Sequence, residues 1–416
     1  MTEVKEMPIV NITGALGGNQ FEPSIAVNEL LPNIMCVVAV DTSTGPTLTG
    51  LYRSIDGGQT WSTTILPQPA GYAGAEAPTI DYTFPSTFIV TVHVFNGDND
   101  GTIISYTSID DGLTWAPPVF VNKGYGLIVH NDEPYIACDR TPGSPYRGNA
   151  YVGYTPLATA ASSIFLQRSL DQGATWQSPS RISSPRGFHD RAAIAIGFTG
   201  EVYAGYITKG PTSPYALLRI SYDGGATFQP PVSNQSTLIS SVVPAPSPLP
   251  VPNYAFRVQT NLSLGADISN SIYSGTVYAV WNDARNGYTD VLMCQSPDGL
   301  LWSDPVSITG APAGSQNFFP SISVSPFTGV IRVIYYSNQI NGFLLDVYVA
   351  ESSNGGASFT NRRLTTTSFN PNGNSPVPTV LIGDYITAYT QSPDNLAAVW
   401  MATTQPTGKL DVYFGS

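Results

Sequence analysis

Lysine is nearly missing from this chain. Lys5, Lys123, Lys209 and Lys409 are the only four in 416 residues. Charged residues of every kind make up 11% of the sequence and the formal net charge is −12, so there is no basic stripe to neutralise phosphates. That argues against nucleic acid as a partner, and the acidic balance disfavours an anionic membrane surface. No apolar run reaches the roughly 18 residues that a membrane-spanning helix needs, and no long stretch has a 3.6-residue period. The opening Met1-Thr2-Glu3-Val4-Lys5-Glu6 lacks the basic-then-apolar layout of a secretory leader. Cysteine is scarce too. Cys36, Cys138 and Cys294 are odd in number and far apart, which excludes a disulfide framework. With no Cys-x-x-Cys pair and no histidine at ligand spacing they do not form a zinc site, and each reads as a buried free thiol.

What is abundant is a repeat. Ser54-Ile55-Asp56-Gly57-Gly58-Gln59-Thr60-Trp61 returns at 108–115, 169–176 and 221–228, in shortened form at 296–302 and in degraded form at 352–359. The aligned acidic positions are Asp56, Asp110, Asp171, Asp223 and Asp298, with Asn354 in the last copy. Each copy reads as a tight hairpin. The Asp accepts backbone N–H bonds as in an Asx-turn, the Gly supplies a positive φ, and the aromatic residue buries its ring against its own sheet. One such staple per repeat is what a repeated structural unit needs, so these carboxylates read as turn staples rather than as catalytic or metal-binding groups.

The pattern Ser-x-Asp-x-Gly-x-Thr-Trp resembles the Asp-box, or BNR repeat, of sialidase-like β-propellers, and the resemblance extends over nearly the whole chain. The copies lie roughly 50 to 75 residues apart, enough for one four-stranded antiparallel blade per interval. After the sixth copy come three further apolar runs, at 379–389, 396–401 and 410–414. Pro8-Ile9-Val10-Asn11-Ile12 can add a fourth strand to them and hide both terminal edges. The expectation is an all-β chain forming a single propeller domain over 1–416, with seven blades. Six blades with the C-terminal strands packed outside is the alternative.

Given that fold, one face of the ring carries the boxes and the other the mouth of the central channel. The residues opening the innermost strands bring Glu22, Glu76, Asp132, Glu133, Asp190 and Asp384 to that mouth as candidate catalytic groups. Arg191, Arg257, His130, His189, Phe318, Phe319 and Tyr254 join them as candidate ligand-binding residues, the two Phe as a stacking wall. Carboxylates, arginines and aromatic rings suit a glycan, and carboxylate pairs perform the acid–base and nucleophile steps of glycoside hydrolysis. At each position the other reading is a carboxylate that caps strand N–H groups or pairs with an arginine. The Pro-rich stretch 242–252 is stiff and serves as a wall of the mouth or as a spacer.

Asn96, Asp98 and Asp100 space oxygen ligands like the start of a calcium loop, but Thr107 stands where the closing acid belongs, and hairpin chemistry explains the segment equally well. No other cofactor is indicated. Arg285, between Asp283 and Asp290, reads as a structural ion pair. The resemblance also implies three arginines that clamp the sialic carboxylate, the first in an N-terminal Arg-Ile-Pro-type motif. That motif is absent, since no arginine precedes Arg53. The leading expectation is therefore a glycan-recognising propeller. A glycoside hydrolase and a structural or protein-binding propeller are its rivals, and the resemblance implies an extracellular or surface location.

Overall fold

The computed structural model describes residues 9–97, 100–126, 128–158, 161–209, 214–230, 235–372, 382–391, 395–404 and 407–416. It contains seven antiparallel sheets of four principal strands, and the described residues contain no helix and hence none long and apolar enough to cross a membrane. The first blade runs outward through Gln20–Val27, Met35–Asp41, Leu48–Ser54 and Ser62–Ile65. The next five repeat that order, their innermost strands being Gly74–Thr83, His130–Cys138, Phe188–Ile196, Leu262–Ala266 and Asn317–Val324. The third blade carries an extra two-residue strand, Ala161–Ser162.

The seventh blade is built from both ends of the chain. Thr387–Gln391, Asn395–Thr404 and Lys409–Gly415 come from the C-terminus, and Val10–Asn11 pairs with Phe414 and Tyr413 as the fourth strand. The seven-blade expectation holds, and the six-blade alternative fails on this pairing. The C-terminal run starts later than its apolar pattern suggests, at Thr387, and 379–381 lie outside the described residues.

The innermost strands are sheet edges, and small hydroxyl residues of the adjacent blade satisfy part of their backbone. Ser24 Oγ accepts the Ile80 N–H at 3.2 Å, Ser263 Oγ that of Ile322 at 3.3 Å and Ser321 Oγ that of Ala388 at 3.0 Å. Between blades the faces are apolar. Val37, Tyr52, Val90 and Tyr106 belong to one buried cluster with Val399 and Phe414, joining the first two blades to the last. The three cysteines are free and buried, as the sequence indicated.

Each box is a turn staple. In the first, Asp56 Oδ1 accepts the Thr60 N–H at 3.0 Å and Asp56 Oδ2 the Thr60 hydroxyl at 2.6 Å, while Ser54 Oγ donates to Asp56 at 2.8 Å. Those hydrogen bonds, the Thr60 hydroxyl first, hold the Asp56 carboxyl down at about 2. Asn354 keeps the geometry with one donor reversed, its Nδ2 giving a hydrogen bond to Ser358 Oγ at 2.8 Å.

Candidate functional site

Five innermost strands share a local defect at the channel mouth. Register shifts fall at Phe21/Ser24, Glu76/Thr79, Asp132/Tyr135, Asp190/Ala193 and Phe318/Ser321. The extra residue of each bulge sits at positive φ without being glycine: Glu22 at 57°, Ala77 at 51°, Glu133 at 49°, Arg191 at 52° and Phe319 at 52°. A bulge re-aims a side chain and sharpens the twist, and a non-glycine residue in this region costs of order 1–3 kcal/mol unless its surroundings hold it there. Three of the five are charged residues of the expected site.

Glu22, Glu133, Arg191 and Asp384 form one electrostatic cluster drawn from four blades, with Tyr385 and Arg257 beside it. Burial, with Asp384 next to it, pushes the Glu22 carboxyl up to about 8, so Glu22 is protonated at neutral pH. Burial and the neighbouring Asp190 push Glu133 up as well. Asp384 is held by Arg257, whose Nε donates to its Oδ1 at 2.9 Å and whose Nη2 contacts the other oxygen. Asn261 Nδ2 donates to the Asp384 carbonyl at 3.1 Å. The Arg191 guanidinium lies 4.1 Å from the centre of the Tyr385 ring, and the Tyr385 hydroxyl donates to the Pro78 carbonyl at 2.9 Å. Asp190 is paired with Lys209.

Toward the second and third blades the chemistry changes. Asp132 Oδ1 stands 3.3 Å from His93 Nδ1. Against the upward push of burial, the interaction with His93 holds Asp132 down at about 2. Glu76 is the cross-strand partner of His93, and its carboxyl is raised by burial. Below the mouth the channel keeps a cavity of about 180 Å³, lined by Ser24, Thr79, Tyr135, Ser263 and Ser321 among others.

Several expected residues are placed elsewhere. Phe318 and Phe319 are 0% and 2% exposed and pack with Phe256 and Tyr336, so they fill the core and offer no stacking wall. Tyr254 is buried in the same cluster with its hydroxyl on the Phe343 carbonyl. His189 is buried edge-on to Tyr206, with Nε2 against the Arg186 carbonyl. These four were placed at the mouth by sequence adjacency alone, and their large rings are taken up by neighbouring aromatic and aliphatic side chains. The Pro-rich stretch sends Leu249 into the same core and lends Ser247 Oγ to the Val258 N–H at 3.0 Å. Arg285 pairs with Asp283, as expected. Asp100 accepts the Asn96 N–H at 2.7 Å in a turn, and Asp98 lies outside the described residues.

His93, Tyr385 and Lys209 were not legible as site residues. His93 is set in the apolar strand Thr87–Phe95, where one polar residue carries little signal.

A sequence profile of the BNR/Asp-box repeat matches residues 52–63, the first box. Among solved structures, the chain superposes on the GH93 α-L-arabinofuranosidase of Fusarium graminearum with a TM-score of 0.53 at 13% identity, covering 99% of this chain and 97% of that one. On the NanB sialidase of Streptococcus pneumoniae the TM-score is 0.51 at 10% identity, covering 98% and 97%. This protein is a seven-bladed β-propeller that carries a BNR/Asp-box repeat. The propeller also superposes on a PL25 ulvan lyase, with a TM-score of 0.59 at 12% identity, covering 97% and 95%. No curated protein matches its sequence. At these identities the likeness is one of fold.

Proposed function

We propose that this BNR-repeat propeller binds a saccharide at the mouth of its central channel. The observation that carries the reading is the convergence of Glu22, Glu133, Arg191, Arg257 and Asp384 from five blades, setting carboxyls whose pKa burial raises beside an arginine-paired carboxylate, so that the mouth offers both donors and acceptors. Hydroxyl-rich ligands need both. The similar structures include an arabinofuranosidase, a sialidase and a polysaccharide lyase, which supports carbohydrate as the ligand class.

The charge balance favours a neutral sugar. Arg257 is committed to Asp384, Lys209 to Asp190, and Arg191 lies over Tyr385 among carboxyls. A three-arginine clamp for a sugar carboxylate is not assembled among the described residues of the mouth.

One observation favours bond cleavage as a second reading. Glu22 is held at about 8 beside Asp384, which is ion-paired with Arg257, and a carboxyl raised in this way next to a second carboxylate is the starting arrangement for general acid catalysis. Incubation of the pure protein with a panel of neutral and sialylated oligosaccharides, read by mass spectrometry, tests cleavage. A glycan array tests binding. Loss of one defined sugar supports the hydrolase reading, array binding without cleavage supports recognition alone, and silence in both assays removes carbohydrate as the ligand class.

A further inference from the structure

We propose that His93, His130 and Asp132 form a binding site for a divalent transition metal of the zinc type. The chain has three histidines, and two of them meet here although 37 residues separate them in sequence: the His93 and His130 rings lie 4.6 Å apart, edge to face. They arrive from different blades. His93 comes from Thr87–Phe95 of the second, while His130 and Asp132 come from the innermost strand of the third. One donor atom from each of the three lies within 4.8 Å of the other two.

The state of His93 points to a missing partner. It is 3% exposed, and neither ring nitrogen makes a hydrogen bond. Its Nδ1 has only the nearby Asp132 carboxylate to offset lost hydration and its Nε2 has no partner, a shortfall that native cores avoid. Its Nδ1 stands 3.3 Å from Asp132 Oδ1. That matches the separation of two donors that are each about 2.0–2.1 Å from one tetrahedral ion. His130 Nδ1 now accepts the Gly101 N–H at 3.1 Å, so this ring must exchange that bond for the metal, and it is the donor that turns. With three protein donors, the fourth position of a tetrahedral ion is left to water. The Asp132 side chain is 31% exposed, which leaves a route for the ion from the mouth. Two imidazoles with carboxylate select zinc and its neighbours over calcium or magnesium, which prefer all-oxygen sites.

The test uses the full chain, stripped with a chelator and titrated with Zn²⁺ by calorimetry. Bound metal is counted by mass spectrometry, and Co²⁺ substitution reads the ligand geometry. One equivalent of zinc, a Co²⁺ spectrum of tetrahedral type and a melting temperature raised by Zn²⁺ but not by Ca²⁺ are expected. Asp132→Asn and His130→Gln should each weaken binding at least tenfold. Both positions are partly exposed, so these variants retain the fold where His93→Gln is at risk. Absence of stoichiometric uptake, or uptake unchanged in both variants, overturns the proposal.

Discussion

Gly58 of the first box lies flat against the ring of Phe414 in the last blade: a Cβ at position 58 would come within 2.3 Å of Phe414 Cε1. The same glycine has φ of 89°, and Trp61 of its box meets Phe414 edge-on with ring centroids 5.4 Å apart. The third blade's neighbour repeats the relationship, with Gly225 over Tyr151, where a Cβ would come within 2.8 Å. The box therefore fastens its blade to the one before it as well as closing its own turn. Gly58→Ala should destabilise by about 2–4 kcal/mol, combining positive-φ strain with overpacking. Gly71→Ala, also at positive φ but with nothing within 4 Å of the added methyl, should cost about 1 kcal/mol. Urea unfolding of the two variants separates the contact from the strain, and equal losses would remove the blade-fastening role.

Ring closure rests on a buried carboxylate. Asp411 is 0% exposed, accepts from Thr13 Oγ1 and Asn11 Nδ2 at 3.2 Å each, and pairs with Lys409 at 2.7 Å. Asp411→Ala removes the counter-charge of Lys409, which keeps only the Thr13 and Leu16 carbonyls, and the acceptor of both N-terminal donors, and should cost about 3–5 kcal/mol. Because the N-terminal strand is two residues long, proteolysis should cut that segment first in the variant. Limited digestion with N-terminal sequencing would show an unchanged pattern if Asp411 has no part in closure.

The ring was legible because the box is a local motif. Ser54, Asp56, Thr60 and Trp61 serve one turn, and their spacing is fixed by that turn. The N-terminal strand was legible because three apolar C-terminal runs needed a fourth. The site was legible only in part. Glu22, Glu133 and Arg191 were expected together because the repeat gives the phase of each innermost strand, and they occupy equivalent bulge positions. Which face a residue takes beyond the bulge depends on a one-residue shift that no pattern announced. Phe319 holds the same bulge position as Glu22, Glu133 and Arg191, but it and Phe318 pack into the core between blades. Gly58 was explained by its φ, while its contact with Phe414, 356 residues on, is a tertiary fact.

Glu22 should make stability fall with rising pH. Its folded carboxyl, at about 8, lies above its unfolded value of about 4.5, so the folded state holds the proton through that interval and the unfolded state does not. The advantage of the folded state is complete at the acid end and lost progressively as pH rises through 8. Asp384, Glu76, Arg191 and Arg257 are the charged groups that face it. Glu22→Gln, neutral at every pH, should flatten the slope of melting temperature between about pH 5 and 8 and match or exceed the parent at pH 9. A variant slope identical to the parent's would show that Glu22 ionises normally.

Arg257 and Glu22 should separate binding from chemistry. The Arg257 side chain is 53% exposed yet bonded to the buried Asp384, so it presents one face to ligand and one to the site. Arg257→Ala removes a ligand contact and also frees a buried carboxylate whose charge would further oppose ionisation of Glu22. If the mouth only binds, Arg257→Ala should weaken saccharide affinity by about tenfold or more, and Glu22→Gln should do so less, since an amide still donates a hydrogen bond. If the mouth cleaves, Glu22→Gln should lower kcat by about 10²–10⁴ while KM stays near the parent value, because the proton it supplies is needed only in the transition state. Calorimetry and kinetics on the same two variants decide between these cases. Parent-like behaviour of both variants in both assays would move the ligand away from this face of the ring.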